Sequence, residues 1–156
     1  MQKHAIGLNE LYEDNFSLIG IHTTLEDFRL AYLLNQTLKT QLIKDKQSLI
    51  FKKQRKSSAF TIFTYNSLKY EDRWDLIANS SVVDVKKDES ELLLPSEIKT
   101  YLIPERKTID YFIKITGNIT QDYIRKTVKK IQSIDQIVTS YFIDKNTLKS
   151  KEYLIF

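Results

Sequence analysis

Cysteine is absent from this 156-residue chain, and glycine and proline are scarce, at three and two residues. Without cysteine there is no disulfide scaffold, no thiol nucleophile and no thiolate zinc site. Glycine falls well below its usual share of about 7%, which excludes glycine-rich phosphate loops. Histidine occurs only as His4 and His22, and their spacing does not make an ordinary metal site. The pair His22 and Glu26 has a one-turn spacing, but His22 falls before the expected helix cap. No run approaches the ~20 apolar residues that a membrane helix needs. The opening residues, Met1 to Gly7, hold one lysine and no apolar stretch, so they do not read as a secretory leader. The expectations are no metal, no cofactor, no membrane and a cytoplasmic protein.

What is present fits an ordinary globular domain, with 42% hydrophobic and 28% charged residues. A chain this long buries roughly two-thirds of its unfolded surface, so a core needs no staple. Residues 1–156 read as one domain, with 1–14 as a loose start and 144–156 as a packed tail. The net charge of +4 is segregated. Residues 1–38 carry 2 basic and 5 acidic groups, and residues 39–56 carry 7 and 1. Residues 57–105 carry 5 and 9, and residues 106–156 carry 10 and 5. The cations are 19 lysines and only 5 arginines, so bidentate phosphate and base recognition is thinly supplied.

Phe16 to Ile21 reads as a buried strand. Thr23 and Thr24 with Glu26 and Asp27 have the spacing of a capping box, which predicts a helix over 24–37. Its expected apolar stripe is Leu25, Phe28, Ala31, Tyr32 and Leu38, widened by Leu33 and Leu34. Leu38 to Ile43 reads as a second strand. Phe60, Ile62, Phe63 and Tyr65 place a strand over 58–66, which returns through Trp74, Leu76 and Ala78 as a hairpin. The acidic interval 79–100 is expected to pack only at Leu92–Pro95. Beyond it, Ile109, Tyr111, Ile113 and Ile115 are expected on one strand face. Thr120 caps a helix over 121–132 with Ile124, Val128 and Ile131 inward, and 136–143 forms a last strand. The predicted fold class is α+β: one two-layer domain, with two helices on one face of a mostly antiparallel sheet. It is built from two β-α-β units and a β hairpin.

The segment Ile103-Pro104-Glu105-Arg106-Lys107-Thr108-Ile109-Asp110-Tyr111 stands out. It resembles the signature of a family of small bacterial proteins named for the pattern IPExxxVDY, with Ile109 in the place of valine. The resemblance implies a bacterial, cytosolic, single-domain protein, and it brings no catalytic residues with it. Pro104 fixes its own φ and holds Ile103 extended, so the segment reads first as a turn that sets the register of the following strand. A binding edge made by Glu105, Asp110 and Tyr111 is the sharper alternative, and a catalytic carboxylate pair the remotest.

Two further surfaces are candidates. Arg125, Lys126, Lys129 and Lys130 lie one turn apart on the second helix, where the helix dipole alone would explain them. Joined to Lys52, Lys53, Arg55 and Lys56, they would make a polyanion surface for the RNA phosphate backbone. The last residues, Tyr153, Leu154, Ile155 and Phe156, are apolar, so they either pack on the fold or dock into a protein partner. No serine sits in a nucleophile elbow, and no catalytic residue is assigned. The leading expectation is a non-catalytic interaction or accessory protein, self-associating or bound to a protein partner. RNA association is the alternative.

Overall fold

Burial on both faces of one strand fixes the middle of the sheet. In β1 (Phe16–Thr23) the neighbours Leu18 and Ile19 are both fully buried, although they point to opposite sides. The structure, a computed structural model, describes residues 15–53, 56–84 and 97–156. After β1 come α1 (Asp27–Leu38), β2 (Ile43–Lys44), β3 (Leu49–Lys53), β4 (Lys56–Phe60), β5 (Ile62–Ser67) and β6 (Asp72–Ala78). They are followed by β7 (Ser80–Asp84), β8 (Glu97–Tyr101), β9 (Tyr111–Thr116), α2 (Gln121–Gln132) and β10 (Ile137–Ile143). Short 3-10 turns lie at Pro104–Arg106, Lys145–Thr147 and Lys151–Leu154.

Six strands form one antiparallel sheet in the order β10-β1-β9-β6-β5-β2. Strand β1 therefore lies between β9 and β10, so the β9-α2-β10 unit is split around it. The β1-α1-β2 unit is split as well, because β9, β6 and β5 separate its strands. Both helices cover one face, where Leu30, Ala31, Leu34, Ile124 and Ile131 meet Ile19, Ile21, Leu76 and Ile113. This is the expected α+β arrangement. The opposite face is covered too. There the hairpins β3–β4 and β7–β8 and the C-terminal 3-10 turns gather Phe60, Leu102, Ile103, Ile109, Leu148 and Leu154 over Phe16, Leu18 and Phe112. Gly20 permits that packing, since a Cβ there would stand 2.8 Å from Ile143 Cδ1.

Helix α2 matches its expected span, and the Thr120 hydroxyl accepts a hydrogen bond from the Tyr123 amide. Helix α1 departs from expectation. It starts at Asp27, and its N-cap Glu26 makes no side-chain cap. The Thr23 hydroxyl instead accepts from the Leu25 amide and donates to the Gln136 carbonyl. Phe28 and Tyr32, expected inside, are 62% and 52% exposed. The inward stripe runs through Leu30, Ala31 and Leu34, because the tertiary contact selects one of two overlapping apolar stripes.

The expected strand over 38–43 shrinks to Ile43–Lys44. Lys39 takes a left-handed φ of 57° that ends the helix, and the Asn35 amide binds Thr40 and Leu42 in its place. The run 58–66 is two strands, with β4 paired to β3 and β5 paired to β6 across a break at Thr61. Ile109 lies outside β9, in the hairpin-side core, whereas Tyr111, Ile113 and Ile115 face the helices. The 3-10 turn before it removes the strand alternation on which the one-face reading rested. Leu92–Pro95, Arg55 and His4 lie outside the described residues.

Candidate functional site

The signature segment is tied down from three sides. Asn79 is fully buried, and its Nδ2 donates to the carbonyls of Arg106 and Ile109, both at 2.8 Å. Its Oδ1 accepts from the Ile103 amide at 2.9 Å. Its backbone binds Asp110 and Leu102 as well, so one residue staples both ends of the turn. Pro104 occupies the first turn of the 3-10 helix, where its missing N–H costs nothing.

Glu105 reaches toward the C-terminal segment. Its carboxylate accepts from the Ser150 amide at 2.7 Å and from the Ser150 hydroxyl at 3.0 Å. Burial pushes its pKa up slightly, but hydrogen bonds from its own amide, Ser150 and Lys149 outweigh this and hold it below the ordinary value. Asp110 turns to a different element and accepts from the Thr23 amide at 2.9 Å. The Tyr111 hydroxyl donates to the Leu25 carbonyl. Burial, helped by Asp27, Asp110 and Glu26, pushes that phenol up to about 12.

Glu105 thus holds the tail, while Asp110 and Tyr111 hold the β1–α1 connection. These residues do structural work on different elements. Asp110 and Tyr111 do line an open cleft of about 500 Å³ with Thr23–Asp27, Thr61, Ala78 and Ser80. Two of its carboxylates, Glu26 and Asp27, are ordinary company for a helix N-terminus, and the third, Asp110, is engaged by the Thr23 amide.

The basic candidates separate. Arg125, Lys126, Lys129 and Lys130 are exposed on α2, over the helix-covered face, and Lys126 pairs with Asp122 at 3.2 Å. Lys52, Lys53 and Lys56 belong to the β3–β4 hairpin, which covers the other face. The sheet lies between the two runs, so they do not form the single surface envisaged.

The tail residues lie against the fold to different degrees. Leu154 is fully buried, Tyr153 meets Phe51 edge-on at 5.0 Å, and the Lys114 ammonium lies 4.0 Å from the Phe156 ring centre. Ile155 and Phe156 keep partial exposure. Lys114 itself is buried, in register with buried Asp75 on β6. Burial raises the pKa of Asp75, against the pull of Arg73, at 3.0 Å, and of Lys114. His22 takes the Tyr141 hydroxyl at 2.8 Å.

Several residues carry weight that sequence reasoning missed: Asn79, Gln132, Asp72 and the exposed side of β10. Among the described residues that strand pairs only with β1. It holds no charged residue over Ile137–Ile143, and Val138, Tyr141 and Phe142 are exposed along it. Among the described residues no helix is long and apolar enough to cross a membrane, and no group of three metal-ligating side chains occurs. Comparison with models of known families, with curated proteins and with solved structures returns no match.

Proposed function

We propose that this chain is a cytoplasmic, non-catalytic interaction protein that pairs with a second copy of itself along β10, and that it belongs with the IPExxxVDY proteins it resembles. One observation carries this reading: a seven-residue, uncharged edge strand with Val138 78% and Phe142 43% exposed. Unpaired strand edges are templates for another strand, and natural edges are normally blunted by charge or proline. The far edge of the sheet is β2, with two residues, too short to receive β10. Within this sheet the complement that an identical copy offers is β10 itself, a pairing that closes a two-fold dimer instead of a filament. A two-fold axis at Ser140 sets Val138 against Phe142 and Thr139 against Tyr141.

Two features temper the pairing. The register slips at Val138, a bulge that twists the edge, and the Gln132 side chain donates to the Ser140 carbonyl at 2.6 Å. Association is accordingly weak and gated by Gln132. Sedimentation across a concentration series tests it. Val138→Lys and Phe142→Lys should shift the chain to monomer, and Gln132→Ala should tighten the dimer. A wild-type monomer throughout the series sinks the reading. The RNA alternative now rests on α2 alone. Filter binding at low salt that weakens steeply with added salt, and on charge reversal at Lys126 and Lys130, would favour it instead.

A further inference from the structure

Asp72 opens β6 and is 5% exposed, yet the fold uses only half of its carboxylate. Its Oδ2 accepts from Trp74 Nε1 at 3.2 Å, while its Oδ1 has no partner. The Ser140 hydroxyl is likewise buried without a partner, but it lines none of the clefts. A buried carboxylate oxygen without a donor carries a desolvation cost that an arriving N–H group relieves.

Asp72 is part of the wall of a cleft of about 500 Å³, formed by Asn15, the turn over 66–73 and the loop Thr116 to Asn118. Gly117 keeps that wall thin. At its φ of +145° a Cβ would stand 3.2 Å from Asp72 Cβ. Tyr70 lines the same cleft, and its ring face suits a cation: the Lys69 ammonium lies 5.1 Å from its centre and must yield that place to an arriving ammonium. Trp74 meets Tyr123 edge-on at 6.5 Å. Burial first, and then Asp72, Tyr70 and Tyr65, push the Tyr123 phenol above its ordinary value.

We propose that this cleft binds an organic ammonium group, whose N–H donates to Asp72 Oδ1 while its charge rests against the Tyr70 ring. The carboxylates Asp72 and Glu71 disfavour an anion there. The guanidinium of Arg73, the cation that lines the cleft, is engaged by Asp75 at 3.0 Å. No triad of metal-ligating side chains competes among the described residues. The side-chain amides of Asn15, Asn66 and Asn118 supply further acceptors for the remaining N–H groups. Oδ1 is closed to solvent at rest, so entry requires a shift of the turn over 68–71. Leu68, Tyr70 and Glu71 are exposed there, and Glu71 holds a φ of 53°, so the turn has little packing to lose.

Trp74 is the sole tryptophan of the chain and is hydrogen-bonded to Asp72, so its fluorescence reports on the site. Titration with n-butylammonium, against sodium chloride at matched ionic strength, should shift that emission saturably. A short peptide bearing one lysine serves as a second arm and tells a free amine from a protein side chain. Tetramethylammonium, which has no N–H, should bind much more weakly. Asp72→Asn should weaken butylammonium binding by about tenfold or more, since it removes the charge from the hydrogen bond. Tyr70→Ala, on an exposed turn that leaves folding intact, should weaken it roughly threefold. Equal effects of sodium and butylammonium, or unchanged binding in a folded Asp72→Asn, would overturn the assignment.

Discussion

The two faces of the sheet are held by different means. On the helix side, a regular apolar stripe from each helix meets alternating strand residues, with Leu30, Leu34, Ile19, Ile21, Ile115 and Ile131 fully buried. On the hairpin side, the cover is made of short strands and 3-10 turns. Its apolar contacts are completed by long-range polar staples: Asn79 to the signature turn and Glu105 to Ser150. Helices satisfy their own backbone, so their cover needs only apolar burial. Irregular segments do not, so theirs must find side-chain partners. Three backbone groups of the turn, from Ile103, Arg106 and Ile109, are met by one asparagine amide.

This contrast can be broken experimentally. The largest effect is expected from Asn79→Ala, which removes three hydrogen bonds, two of them buried, to Ile103, Arg106 and Ile109, at a cost of about 4 kcal/mol. Hydrogen exchange should then quicken over residues 102–110 before it quickens in α2. If α2 loosened equally early, the two covers would not be separate systems. Next comes Leu34→Ala, with no polar partner to lose, at about 3 kcal/mol in chemical denaturation. Its loss should appear as global unfolding, with the signature turn still in place beforehand.

Thr120→Ala deletes the α2 cap and should cost about 1 kcal/mol, read as faster exchange in the first turn of that helix. The smallest effect belongs to Glu105. Its pKa is lowered in the fold, so its contribution is present above the ordinary value of 4.5 and is lost as pH falls through the lowered one. Acid should therefore release the tail from Ser150, seen as exchange or proteolysis near residue 150. Glu105→Gln should flatten that dependence.

The sequence made the helix side more legible than the hairpin side, for a physical reason. Thr120, Ile124 and Ile131 lie along the three turns of a single helix, and periodicity records such local arrangements. Phe28 and Tyr32 misled because α1 carries two overlapping apolar stripes, and only the packed structure chooses between them. Asn79 was invisible. Its partners lie 24 to 30 residues away, and a lone asparagine in a polar interval looks like loop. The string 103–111 was visible in the sequence, but the bonds from Asn79 and Ser150 that tie it down were not. The orphaned oxygen of Asp72 and the bare side of β10 are surpluses left by packing, which no local pattern encodes.

The place of β1 between β9 and β10 bears on how the chain is made. A ribosome delivers the amino end first, and β1, at residues 16–23, is the strand that both later neighbours require. Those neighbours, at 111–116 and 137–143, follow it only after a long stretch of chain. Until then a strand rich in isoleucine and leucine waits without its native company, open to chaperones and to other nascent chains. Closure of the sheet therefore joins strands made far apart in time, and that long sequence separation should slow folding.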